Sequence, residues 1–398
     1  MRNRRSLSPT GLPQAGSTAR EETATLTAGP KSRRERLESV FSGRAPDRTP
    51  ILGGWIACAE HMWTLAGSSR EAYWADPVGV SLRAYDVLGM DGLMGVFVPR
   101  SDAEFRVVDA NSYFHARLDL TLEEALAQID ALPSAEDIEA EFNLVSAYQA
   151  FRSDLVEMQA QCGGMLWMPA QWSAGASFSW YGKLGYENFF CIVGDHPDRA
   201  RKLMEISGAR GHCQARLVAR AVTEGLYPRA VLLGTDICTQ RGPMVSPAFL
   251  ERYYAPNLRH GLQPLLDVGC KPVWHCDGDV RPILDLLIDC GIQGLQGFQP
   301  ECGMTIDRVV RYRTREGLPL LIFGPLAVTT ELPRCTPEEI RTKVRHAIEV
   351  CRRNADLVLF TANTINPDVP LENIRAMSEA VLGLVAIVAA AFTSGQDL

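Results

Sequence analysis

The segment Val273-Trp274-His275-Cys276-Asp277-Gly278 ends an apolar run on an imidazole and a carboxylate two residues apart. Side chains alternate along a strand with period two, so His275 and Asp277 are expected on one face, sharing a small volume. Gly278 permits a tight turn and close approach of a ligand. Two chemistries suit the pair. His275 can move a proton with its basicity set by the carboxylate, or both residues can ligate a divalent metal. A metal needs further ligands, and Cys58, His61, Glu301 or Cys302 could supply one if the fold brings them together; the expected set is His275, Asp277 and Cys58. Asp236, ending Leu233-Gly234-Thr235-Asp236, could bond loop amides, orient a substrate or act as a base.

Other apolar runs also stop on polar residues: Cys58, Glu60 and His61; Arg100; Gln171; Gln299 and Glu301; Asn363 and Asn366. The expected chemistry rests on His275, Asp277 and Asp236, with Glu60, His61, Arg100, Gln171, Trp172, Glu301 and Asn363 around the substrate. The stretch Trp172 to Gly182, rich in aromatics and glycine, could cover a flat ligand or simply pack on the fold.

These ends need elements to aim them. Eight apolar runs bounded by Gly, Pro or polar residues read as strands: 51–57, 92–99, 164–171, 230–236, 271–275, 291–298, 318–323 and 356–360. Helical segments lie between them, and three open on a capping residue followed by proline: Asp76-Pro77, Ser246-Pro247 and Thr336-Pro337. Near-continuous apolar strands separated by helices call for a parallel sheet covered on both faces, and eight of them for a closed (β/α)8 TIM barrel. Active sites of such barrels lie at the carboxyl ends of the strands. An open doubly wound sheet is the alternative, but its Gly-rich phosphate loop is missing, with neither GxGxxG nor Walker A present. Residues 100–163 and 172–228 exceed simple connections and are expected to carry extra helices or a lid.

Composition narrows the class. With 46% hydrophobic and 22% charged residues, the 398-residue chain reads as a soluble globular protein with a large core. A formal net charge of -7 argues against a general nucleic-acid binder. Eleven scattered cysteines without a CxxC pair fit reduced thiols in the cytoplasm. Residues 1–34 read as a disordered leader, 35–392 as one barrel domain and 393–398 as a flexible tail. The most apolar stretch, 380–392, is too short to span a membrane.

The chain resembles the uroporphyrinogen decarboxylase superfamily over about Arg33 to Leu384. The resemblance rests on Arg33-Arg34-Glu35-Arg36 with Pro46-Asp47-Arg48-Thr49-Pro50, Thr239-Gln240-Arg241-Gly242-Pro243, Ser246-Pro247 and His275-Cys276-Asp277-Gly278-Asp279-Val280. Gln299-Pro300 with Gly303-Met304, and Asn366-Pro367-Asp368-Val369-Pro370 with Glu372-Asn373-Ile374, extend it. It implies a barrel. True decarboxylases of the family carry an Arg-Gln-Ala-Gly-Arg type segment after the first strand to hold substrate carboxylates, where this chain reads Gly53-Gly54-Trp55-Ile56-Ala57-Cys58-Ala59-Glu60-His61. Without those arginines a polycarboxylate would be poorly held.

The corrinoid-dependent methyltransferases of the superfamily are the nearer branch. Their zinc is held by His-x-Cys at the fifth strand and a Cys beyond the eighth; here His275 matches, but Asp277 and a position near Asn363 replace the thiolates. A site of His, Asp and Asn is harder and more oxygen-loving. The resemblance implies a cytoplasmic methyltransferase moving a methyl group between a small substrate and a corrinoid on a carrier protein, with zinc as the implied metal. It involves neither nucleic acid nor membrane and leaves a homodimer open. The alternatives are a decarboxylase or other lyase acting on fewer carboxylates, and a non-catalytic binding barrel.

Overall fold

A computed structural model describes residues 30–99 and 120–394. Each of the eight apolar runs contains or overlaps a strand: β1 Leu52–Gly53, β2 Gly92–Leu93, β3 Leu166–Trp167 and β4 Ala230–Gly234. A short antiparallel pair follows, β5 Cys238–Thr239 and β6 Gly242–Pro243. The chain then enters β7 Lys271–His275, β8 Gly294–Gln296, β9 Leu321–Leu326 and β10 Asp356–Thr361. The result is a mixed α/β architecture with parallel sheets. One sheet has the order β1-β2-β3 and the other β10-β9-β8-β7-β4.

Two contacts link the sheets at both ends. Ile51 and Leu359 form a parallel bridge between β1 and β10, and the Gln171 amide just past β3 donates to Leu232 O of β4 at 2.7 Å. The strands β4, β8, β9 and β10 are buried along their whole length. Burial of side chains on both sides of these strands is why they read as unbroken apolar runs instead of alternating ones.

The expected caps form. Asp76 and Ser246 bond the first turns of Pro77–Val87 and Pro247–Phe249, and Thr336 closes a capping box with Glu339 ahead of Pro337–Asn354. The helical segment opened by Ser246-Pro247 contains a π-helical turn, Leu250–Tyr254, before Ala255–Asp267. The Tyr254 hydroxyl there donates to Ala176 O at 2.6 Å.

The first helix, Arg33–Phe41, opens on a capping box formed by Ser32 and Glu35. Its Arg36 is locked into a buried ion network. Arg36 Nη1 donates to Asp91 Oδ1 at 2.5 Å, Arg36 Nε to Asp47 Oδ1 at 2.7 Å, and Arg48 Nη1 to Asp91 Oδ2 at 2.8 Å. Asp91 is fully buried and also accepts from the Ile51 amide at 2.9 Å. The Arg36 and Asp47-Arg48 pieces of the resemblance are thus structural, fastening the first helix and the start of β1 to the residue before β2.

The long connections carry helices: Leu122–Asp130, Ala135–Glu141 and Leu144–Cys162 in one, and Tyr181–Leu184, Tyr186–Asp195 and Pro197–Thr223 in the other. Among the described residues no helix is long and apolar enough to cross a membrane. The expected leader through residue 29, Arg100 and the tail from 395 lie outside the described residues.

Candidate functional site

β4 and β7 lie side by side in parallel register, with Gly234 paired to His275, so both chains leave the sheet together. Asp236 and Asp277 each follow two residues later. The Asp277 amide donates to Asp236 Oδ1 at 2.9 Å, and the same oxygen stands 3.6 Å from His275 Nε2. Ligand atoms of Asp236, His275 and Asp277 all lie within 4.8 Å of one another. His275 and Asp277 therefore share a volume as the spacing predicts. Strand geometry ends at His275, however, and the turn through Gly278 carries Asp277 into place. Gly278 has φ +84°, and a Cβ there would press on Thr239 O at 2.5 Å. Its amide donates to Gln299 Oε1 at 3.0 Å.

The tautomer of His275 is set from behind. Gln296, at the end of β8, donates its amide nitrogen to Thr361 O at 2.6 Å and Ala362 O at 2.9 Å. Only its oxygen is left to face His275 Nδ1, at 2.5 Å, so Nδ1 carries the hydrogen and Nε2 points at the carboxylates. Gln296 was not among the expected site residues. Its signal was a polar side chain inside an otherwise apolar run, Gly294-Leu295-Gln296-Gly297-Phe298.

Asp277 is the strained member. Its Oδ2 accepts from Asn363 Nδ2 at 2.8 Å, while Oδ1 is buried without a partner. Burial pushes its pKa up to about 6, opposed by His275 and reinforced by Asp236. A buried carboxylate oxygen without a donor calls for a cation or a proton. One imidazole nitrogen and two carboxylates make a set suited to a divalent ion that accepts nitrogen and oxygen.

Aromatic rings form the walls. Trp172 lies 5.3 Å from His275 and 5.8 Å from Trp55, and Trp55 packs at 4.9 Å on Phe360. A pocket of about 150 Å³ opens here, lined by Trp55, Phe97, Trp172, His275, Asn363 and Thr364. No arginine or lysine is among these described lining residues.

The remaining expected residues are placed elsewhere or act indirectly. Cys58 is buried at the start of the helix Ala59–Leu65, where burial pushes its thiol pKa up, and it is not in the donor cluster around His275. His61 Nε2 pairs with Val369 O at 2.8 Å, and burial lowers its pKa. Glu60 is exposed. Gln171 spends its side chain on Pro169 O and Gln214 Nε2, at 2.9 and 2.8 Å. Glu301 accepts from the Thr329 hydroxyl and is felt by Asp277 only as a nearby negative charge. Cys276, between the two site residues, is buried and faces Ile237 N at 3.4 Å instead of the pocket.

No protein-family model matches the chain, and no curated protein matches it in sequence. Its fold is similar to that of a solved methyltransferase from Methanosarcina mazei, with a TM-score of 0.56 at 15% identity, covering 88% of this chain and 98% of the other.

Proposed function

We propose that the chain is a methyltransferase built on a closed (β/α)8 barrel, moving a methyl group between a small methylated substrate and a corrinoid carried by a separate protein. The bridge at Ile51 and Leu359 and the Gln171 hydrogen bond to Leu232 support closure, since they join the two sheets edge to edge in the order a barrel requires. The similar fold of the archaeal methyltransferase supports the reaction class. The observation that carries the reading is the unpartnered Oδ1 of Asp277 beside His275 Nε2 and Asp236, beneath two tryptophans.

Methyl transfer is a displacement, needing in-line alignment and an activated leaving atom more than a strong base. A divalent cation held by His275, Asp236 and Asp277 would supply a Lewis acid for the atom that loses or gains methyl. Without it, His275 can hold a proton on Nε2 for the same atom, with Asp236 stabilising the imidazolium. Asn363 fixes Asp277, and Gln296 fixes the ring. About 150 Å³ accommodates a molecule near the size of benzene, so the substrate enters and the macrocycle stays at the rim. There the exposed faces of Trp172 and Phe97, 42% and 48% accessible, offer a flat apolar seat. The cobalt of the corrinoid would be the methyl acceptor or donor. A described lining without arginine or lysine disfavours a polycarboxylate.

The test is a corrinoid methylation assay over methoxy-aromatic, methylamine and methylthio compounds. One class should methylate the corrinoid. His275→Ala should lower the rate about 100-fold or more, and Gln296→Leu about 10- to 100-fold. Absence of corrinoid methylation with every compound, together with carbon dioxide release from a carboxylated one, would replace this reading with a lyase.

A further inference from the structure

Outside the pocket, Glu139, His212 and His260 gather on the molecule's helical surface from three separate helices, Ala135–Glu141, Pro197–Thr223 and Ala255–Asp267. Their ligand atoms all lie within 4.8 Å of one another. The imidazoles are parallel, with centroids 4.3 Å apart and planes 3° apart. His212 Nδ1 sits 3.1 Å from His260 O, and since a carbonyl only accepts, Nδ1 bears the hydrogen and Nε2 keeps its lone pair. His260 Nε2 faces Glu139 Oε1 at 2.5 Å. Nothing in the proposed chemistry uses these three residues.

We propose that Glu139, His212 and His260 form a structural zinc-type site that clamps the helix Ala135–Glu141 to the two helices behind it. The donor set, two imidazoles and a carboxylate, is one that zinc accepts, with water completing a tetrahedron. Ligands of a tetrahedral zinc stand about 3.3 Å apart, so His260 Nε2 and Glu139 Oε1 must open from 2.5 Å and the two imidazoles must turn out of their parallel stack to converge on the ion. That adjustment is open to them, because the side chains of His260 and Glu139 are 47% and 31% accessible. The ion takes the place of the proton between His260 Nε2 and Glu139, which the imidazole can carry on Nδ1 instead. The hydrogen bond from His212 to a backbone carbonyl is the kind of outer contact that aims a ligating imidazole.

The clamp has something to hold. The helix Ala135–Glu141 has no fully buried residue and packs on the core through Ile138, which is only partly buried. Next to the histidines, Gly211 and Gly261 press the backbone of Gly175 between their helices; a Cβ on either glycine would overlap Gly175 O. Gly175 belongs to the loop that begins at Trp172. An ion at this site therefore pins the crossing that grips the loop supplying one wall of the pocket.

The test uses the full-length chain without a histidine tag, carrying His275→Ala so that the pocket contributes no imidazole. Titration with zinc against a chromogenic chelator should show one equivalent bound, and cobalt should give the absorption bands of a tetrahedral ion. Adding His212→Ala should weaken zinc at least tenfold and abolish the zinc-dependent rise in melting temperature. His260→Gln, at an exposed position, gives the same readout with the fold undisturbed. Failure of the His275→Ala protein to bind zinc, or affinity unchanged by both further substitutions, would overturn the proposal. Neither result bears on methyl transfer, because the corrinoid assay reads a different set of residues.

Discussion

At the scale of residues, the site is defined by a carboxylate held against its preference. Asp277 has a buried, unpartnered oxygen and a pKa raised to about 6. A carboxyl whose folded-state pKa is raised contributes stability in its protonated form, fully present below about pH 4 and lost as pH rises through about 6. In chelator-treated protein, wild type should therefore lose stability between pH 4 and pH 7 relative to Asp277→Asn, by up to about 3 kcal/mol. Thermal melts across that range, with equal slopes for both proteins, would count against the buried charge. His275 and Asp277 were legible because residue types and spacing predict a shared volume. Asp236 was legible as a strand end. Gln296 was not, because its role depends on which backbone carbonyls hold its amide, and those belong to β10 and the residue after it, more than sixty residues away.

At the scale of elements, local chemistry placed the strands and caps, while close approaches between helices were invisible. The capping residues before Pro77 and Pro337 open helices through bonds that span only three residues, so local sequence suffices to place them. The crossing of Pro197–Thr223 with Ala255–Asp267 depends instead on Gly211 and Gly261 both lying against the backbone of Gly175. Gly211→Ala should destabilise the protein by about 3 kcal/mol, since a Cβ must push the Gly175 backbone away. Pocket ligands should bind more weakly as well, because that backbone continues from Trp172. Denaturant melts of the alanine variant that overlay those of wild type would show the crossing to be looser than described. The Trp172 loop packs on the fold through Ala174, Ala176 and Phe178, which are buried, and holds Trp172 partly exposed beside His275.

At the scale of the whole molecule, a buried ion network joins the first helix to the first strands. Asp91 neutralises Arg36 and Arg48 in a fully buried position. Asp91→Ala leaves Arg48 without its carboxylate and Arg36 with Asp47 alone, and should cost about 3–5 kcal/mol, read as a shift of the denaturant midpoint; a loss under about 1 kcal/mol would mean that Asp47 and solvent suffice. By itself the sequence determined the parallel α/β plan, the positions of all eight strands, and the convergence of His275, Asp277 and Asp236. Each follows from local periodicity or from the rule that strand ends share a mouth. Only the tertiary structure decided that Cys58 stands apart from His275, that Gln296 fixes its tautomer, and that Glu139, His212 and His260 meet. Those are distances between residues far apart in the chain, set by how helices and strands pack, and neither composition nor spacing encodes them.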